Sequence, residues 1–136
     1  MALKKLSFID LLKAVIIRVE SGTGKRCYDA VPDNTKSPFY FAEIVGRDPK
    51  DTKMMFMDVF TVFVHVVAEP SRSSVGVYDL IQSLEEALTV DIVLPAGYRL
   101  WKQVDTGLQK TIDSETDEKH AIEGYEFHVC YGYRVK

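Results

Sequence analysis

His128 and Cys130 are the residues whose types and spacing come closest to a reactive pair. Side chains two apart on a β-strand share a face, and an imidazole beside a thiol can generate a nucleophilic thiolate. No neighbouring residue in the sequence orients this histidine, so we expect no catalytic site here. His65 interrupts an apolar run and is expected to be partly buried with a backbone partner, and His120 is expected to be solvated.

The segment Gly22-Thr23-Gly24-Lys25 contains the Gly-Lys step of a phosphate-binding loop. A phosphate loop also requires a glycine at position 19, where this chain has Val19, and it must open a helix so that backbone amides converge on the phosphate. Here the apolar spacing places the segment at the end of a helix. We therefore predict a C-terminal helix cap.

No pattern typical of a metal or cofactor site is present in the sequence. There are two cysteines, Cys27 and Cys130, no Cys-x-x-Cys step, and three histidines far apart in the chain. The acidic residues at 113, 115, 117 and 118 lack the glycine and the terminal glutamate of a calcium loop. A nucleophile elbow and a dinucleotide fingerprint are also absent. We expect no catalytic, cofactor-binding or metal-binding residues, no cofactor, and no enzymatic activity.

Length and composition are those of one small intracellular domain spanning residues 1–136. The net charge of −3 argues against a nucleic-acid or anionic-membrane binder, which would carry a basic excess. Two cysteines are too few for a secreted, disulfide-stabilised domain. The longest apolar run, Val59–Ala68, is well short of the ~20 residues that span a bilayer.

Periodicity predicts two helices and six strands. Apolar residues at helical spacing indicate helix 1 at Phe8–Glu20, with Ser7 as its N-cap, and helix 2 at Val75–Leu88. The predicted strands are Cys27–Val31, Phe39–Val45, Met55–Ala68, Tyr98–Asp105, Thr106–Ile112 and Tyr125–Val135. Runs of strands joined by short turns favour an α+β fold with a mostly antiparallel sheet and both helices packed on one face.

The predicted elements define a core, two loops and an apolar surplus. We expect a core between sheet and helices that contains Phe60, Val62, Leu80, Leu84 and Phe127. Gly46–Lys53 and Asp105–Glu123 are polar and aperiodic, and we expect them to be mobile in the isolated subunit. The third strand is apolar on both faces, and together with the tyrosines at 125, 131 and 133 it predicts a sheet face or edge that meets another subunit.

The segments of most of the chain also follow a recognisable order. They are the helix Ser7–Glu20, Val31-Pro32, Pro38-Phe39-Tyr40-Phe41 leading to Gly46, the long strand Met57–Ala68, the helix Val77–Leu88 and the final strand Tyr125–Arg134. This order resembles the tail-terminator, or tail-to-head joining, proteins of long-tailed bacteriophages and prophages. Members of that family are small α+β domains without enzymatic activity that assemble into a hexameric ring. The ring caps the finished tail tube and joins it to the head connector.

The resemblance implies a structural protein that is made in the bacterial host cytoplasm and built into the virion. Its partners would be other copies of itself, the tail tube protein and the head–tail connector proteins, with no specific nucleic acid and no membrane. Two alternatives stay open at this point. One is a small ligand-binding module with an aromatic pocket lined by Trp101, and the other is a small enzyme that uses His128 and Cys130.

Overall fold

The computed structural model describes residues 3–113 and 118–133, which form two helices and one five-stranded sheet. In chain order the elements are α1 (Phe8–Thr23), β1 (Cys27–Tyr28), β2 (Phe39–Pro49), β3 (Met55–Val67), α2 (Val75–Ala87), β4 (Arg99–Asp113) and β5 (Lys119–Tyr133). The strand order is β1-β2-β3-β5-β4, and every neighbouring pair is antiparallel except β1 and β2. The predicted α+β class is confirmed. Within the described residues, neither helix has the length and apolar character that crossing a bilayer requires.

Local signals define both ends of α1. The Ser7 hydroxyl accepts a hydrogen bond from the Asp10 amide at 3.0 Å, which satisfies one of the free donors at the helix N-terminus. Gly24 ends the helix in the left-handed conformation, with φ of 72°, and its amide donates to the Glu20 carbonyl. The predicted N-cap and C-cap are confirmed, and the helix runs three residues beyond the predicted Glu20.

The two helices touch at Gly22. A Cβ atom built on Gly22 would lie 2.8 Å from the Ala87 Cα of α2 and would also overlap the Ala87 Cβ. Two small residues at the crossing therefore let the helix backbones approach closely. Both helices lie on one face of the sheet: the Phe8 ring of α1 packs edge-on against Phe60, and the Leu80 carbonyl of α2 accepts a 2.7 Å hydrogen bond from the buried Tyr40 hydroxyl.

The main core lies between this face of the sheet and the helices. Phe60, Val62, Leu84 and Phe127 are buried there as predicted, whereas Leu80 is only partly buried at its margin. Tyr125 is also buried on this side, so it does not form the expected contact with another subunit. The side chain of Tyr133 lies outside the described part of the structure.

The C-terminal half differs from the sequence prediction. Tyr98–Asp105 and Thr106–Ile112 were expected to pair as a hairpin, but they form the single strand β4, which pairs along its length with β5. The turn-like residues Asp105 to Gly107 form a β-bulge instead of a turn, and the Gly107 amide donates to Asp105 Oδ1 there at 2.7 Å. The expected mobile segment Asp105–Glu123 is wrong for residues 105–113, which belong to β4, and for residues 119–123, which begin β5; its residues 114–117 lie outside the described chain.

The predicted loop after β2 begins later than expected. A bulge between Ile44 and Gly46 lets β2 continue through Pro49, so Gly46–Pro49 belongs to the sheet rather than to a mobile loop. The turn that follows is held by a hydrogen bond from the Lys50 amide to the Met57 carbonyl. β1 is shorter than predicted and ends at Tyr28.

Candidate functional site

The His128–Cys130 pair does not form a thiolate–imidazole contact in the structure. His128 Nε2 lies 3.3 Å from Glu126 Oε1, and the buried Cys130 thiol donates to the Gly132 carbonyl over 3.9 Å. Each side chain therefore has its own partner on β5. The thiol faces a carbonyl acceptor rather than a base that would remove its proton.

His65 and His120 come together on the sheet face opposite the helices. His65 Nδ1 lies 2.9 Å from His120 Nε2, and His65 Nε2 lies 2.7 Å from Glu43 Oε1. The Phe41 ring stacks on His65 with centroids 4.0 Å apart. The expected backbone partner of His65 and the expected solvation of His120 are both wrong, because strand pairing brings β2, β3 and β5 side by side.

The acceptor role of Glu43 determines which ring nitrogen of His65 donates to it. A carboxylate only accepts, so His65 Nε2 donates to Glu43 Oε1, and the other ring nitrogen of His65, Nδ1, shares a hydrogen bond with His120 Nε2. Burial, followed by the nearby His65, lowers the pKa of His120. Within the described residues, the two imidazole rings contact each other, the Glu43 carboxylate and the Phe41 ring. These contacts link three strands, and none of them places a base beside a nucleophile.

Asp58 anchors the N-terminal segment to the sheet. Its side chain is 1% exposed, accepts a 2.8 Å hydrogen bond from the Tyr131 hydroxyl and lies 3.4 Å from Lys5 Nζ. The Arg47 Nε lies 3.8 Å from the same carboxylate, and its guanidinium stands over the Phe8 ring. Burial and the hydrogen bond to Asp58 raise the pKa of Tyr131. Because the buried Asp58 charge is balanced by cations and a hydrogen bond, this group has a structural role.

A second acidic group, which the sequence analysis missed, is not compensated in this way. Carboxylate oxygens of Glu85 on α2, Asp105 on β4 and Glu123 on β5 all lie within 4.8 Å of one another. Glu123 is 0% exposed, and neither of its carboxylate oxygens accepts a hydrogen bond from a donor in the described residues. Burial, followed by the charges of Asp105 and Glu85 and a hydrogen bond that protonated Glu123 shares with Glu85, raises the pKa of Glu123 to about 7. The overlooked signal was the alternation Ala121, Glu123, Tyr125, Phe127, which places Glu123 on the buried face.

Exposed apolar groups lie towards opposite edges of the sheet. Phe8, Ile9 and Leu12 of α1 form a groove with Ile44 and Val45 of β2, and Ile9 is 75% exposed. At the far edge, β4 carries exposed Leu108 and Trp101, and Trp101 is 48% exposed rather than enclosed in a pocket. The Trp101 pocket expected for a ligand-binding module is therefore not supported.

Comparisons with known proteins identify similar folds and sequences. A solved structure described as "Virion of native gene transfer agent (GTA) particle" contains a similar chain, with a TM-score of 0.67 and 20% sequence identity. The match covers 91% of this chain and 99% of that chain, and at this identity it shows a shared fold. The search of curated proteins gave no significant match. A model of a phage tail terminator family, described as "Putative tail termination protein", matches residues 2–136.

Proposed function

The chain belongs to a phage tail terminator family, and from this premise we propose that it forms a ring which caps the finished tail tube and joins it to the head connector. It is a structural protein of a phage-like particle. The ring consists of identical copies, six by the family resemblance. The chain works as a single domain without enzymatic activity, cofactor, nucleic-acid ligand or membrane, and it is made in the host cytoplasm before it enters the virion.

The observation that carries the ring proposal is the separation of two exposed apolar surfaces. The first, the α1–β2 groove, consists of Phe8, Ile9, Leu12, Ile44 and Val45. The second, the β4 edge, presents Trp101 and Leu108 on the last strand of the sheet order. Large apolar side chains at such exposure on a small protein mark surfaces that bind other proteins.

Their placement favours a closed ring over a two-fold dimer. A two-fold interface uses the same patch on both subunits, whereas a ring joins one patch to a different patch on the next copy. The α1–β2 groove lies on the β2 side of the sheet, and the β4 edge lies at its opposite end. In the proposed ring, the groove of one subunit receives the β4 edge of its neighbour.

The ring contact is tested with Ile9→Glu and the matched control Lys13→Glu, which places the same side chain at another exposed position of α1. Both variants are supplied in trans to a particle that depends on this chain, and heads, tails and joined particles are counted by electron microscopy. Ile9→Glu is expected to leave free heads and tails of irregular length, because an uncapped tube has no signal to stop growing. Lys13→Glu is expected to give normal particles.

Normal particles from Ile9→Glu, at unchanged expression and folding, would exclude the groove as a ring contact. Light scattering across concentrations with negative-stain images tests the ring itself, with and without added tail tubes. A chain that stays monomeric in the presence of tubes and leaves their length unchanged would contradict the proposed function.

The acidic segment that includes Asp113 and Glu118 is proposed to contact the partner rings. We expect reversal of residues 113, 115, 117 and 118 to lysine to impair joining, because it replaces the negative charge of the segment by positive charge, and urea unfolding checks that the variant folds. Residues 115 and 117 lie outside the described chain. Normal joining in this variant would remove the segment from the interface.

A further inference from the structure

We propose that Glu85, Asp105 and Glu123 bind a hard divalent cation, of which Ca²⁺ fits best. This site goes beyond the ring function and does not depend on it. Carboxylate oxygens are the ligands that Ca²⁺ and Mg²⁺ take in proteins. Three such ligands from three different elements would converge on one ion.

The fold brings these side chains together through strand register. Asp105 pairs with Tyr125 across β4 and β5, and Glu123 lies two residues before Tyr125, so all three side chains face the helices. Glu85 reaches the same place from α2, which packs against β5. The bulge hydrogen bond from the Gly107 amide to Asp105 Oδ1 fixes the Asp105 carboxylate in position.

The unpartnered Glu123 carboxylate points independently to a missing ligand. An ionised, buried carboxylate that accepts no hydrogen bond and has no ion pair is strongly unfavourable, and native proteins rarely keep one uncompensated. The charged groups that act on Glu123 are Asp105 and Glu85, which are themselves acidic. The nearby Tyr125 hydroxyl is also buried and has no partner. A cation would supply the opposite charge that the described residues leave out.

The tolerance of Ca²⁺ for irregular oxygen coordination favours it over Mg²⁺. Oxygens bound to Ca²⁺ at about 2.3–2.6 Å can lie as far as about 5 Å apart on opposite sides of the ion. One oxygen from each of the three carboxylates lies within 4.8 Å of the other two, which places all three beside one possible ion position. Mg²⁺ binds at about 2.0–2.1 Å, so its oxygens must lie within about 4.2 Å and in stricter octahedral geometry. Glu85 and Asp105 are exposed, so water can fill the remaining positions.

The test uses the full chain, stripped with EDTA and titrated with CaCl₂ or MgCl₂ in a calorimeter. We expect one Ca²⁺ per chain with a Kd on the order of 10⁻⁴ M, as for sites with few protein ligands, and weaker binding of Mg²⁺. At a hundredfold excess over Kd, Ca²⁺ should raise the Tm by about 5–10 °C, because it binds the folded chain alone.

Three variants locate the site. Glu123→Gln and Asp105→Asn should each weaken Ca²⁺ binding at least tenfold. Glu85→Gln changes an exposed ligand, so it tests the site without disturbing the core. The matched control is Glu86→Gln, the adjacent exposed carboxylate on α2, which should bind Ca²⁺ like the wild type.

The proposal is overturned if the wild type shows neither heat of binding nor a Tm shift up to 10 mM of either cation, a ceiling about a hundred times the expected Kd. It is also overturned if Glu85→Gln, correctly folded, binds Ca²⁺ as tightly as Glu86→Gln does. Tighter binding of Mg²⁺ than of Ca²⁺ would refute the preference for Ca²⁺.

Discussion

Replacing Glu123 by glutamine should make the chain more stable at high pH and change the pH dependence of its stability. The glutamine has the same shape but no charge. Burial and two neighbouring carboxylates raise the pKa of Glu123 from 4.5 to about 7 in the folded chain. Because the folded pKa lies above the unfolded value, Glu123 stabilises the fold fully below about pH 4.5 and loses that contribution as the pH rises through about 7.

The magnitude follows from the two pKa values. Each pH unit between them corresponds to about 1.4 kcal/mol, so ionised Glu123 costs about 3 kcal/mol well above pH 7. About 2 kcal/mol of this loss develops between pH 5.5 and pH 8.5. The glutamine variant escapes the loss, so its free energy of unfolding relative to the wild type should rise by that amount over the same range.

Urea unfolding in EDTA at several pH values measures this difference. Glu69→Gln, which removes an exposed carboxylate just after β3, is the control and should show no comparable trend. A wild-type-minus-variant difference that stays constant between pH 5.5 and 8.5 would refute the reasoning, since it would mean that Glu123 titrates alike in the folded and unfolded chain.

Three further predictions concern packing and chemistry. Leu84→Ala should destabilise the fold by about 2–5 kcal/mol in urea, because it leaves a cavity between α2 and the sheet, and a loss under about 0.5 kcal/mol would contradict the packing. Gly22→Ala should cost about 1–3 kcal/mol by forcing the helices apart, whereas Gly76→Ala, with open space around it, should be neutral or stabilising; equal effects would disprove the close contact. The double variant His128→Ser, Cys130→Ala should assemble normal particles in micrographs, and loss of particles from a folded double variant would return Cys130 to consideration as a nucleophile.

Elements encoded by neighbouring residues were predictable from the sequence. Ser7, the apolar spacing of α1 and Gly24 lie within one helix, and each signal acts over a few residues. The alternation of β5 likewise indicated the burial of Phe127, whereas Tyr125 on the same face was expected to meet another subunit and instead packs in the core. In the same way, the fold class followed from the order of the elements.

Features that depend on strand pairing were not predictable. The Asp105–Gly107 bulge has the composition of a turn, so one strand was read as two. The meeting of His65 with His120, and of Glu123 with Glu85, depends on which strands become neighbours in the sheet. The acidic composition around Glu123 led to a wrong prediction, because a run of charged residues usually indicates a solvent-exposed loop. Here the run is followed by the start of β5, in which Glu123 is buried.

The position of β5 in the sheet affects how the chain folds as it is synthesised. β5 inserts between β3 and β4, although it follows both in the chain. Until residues 119–133 have left the ribosome, β3 and β4 each have an unpaired edge, and Tyr125, Phe127 and Val129 are missing from the core. Because such distant pairings close late, the incomplete chain exposes apolar surface and unpaired strand edges, both of which favour aggregation. The release of β5 from the ribosome thereby sets the earliest moment at which the core can close.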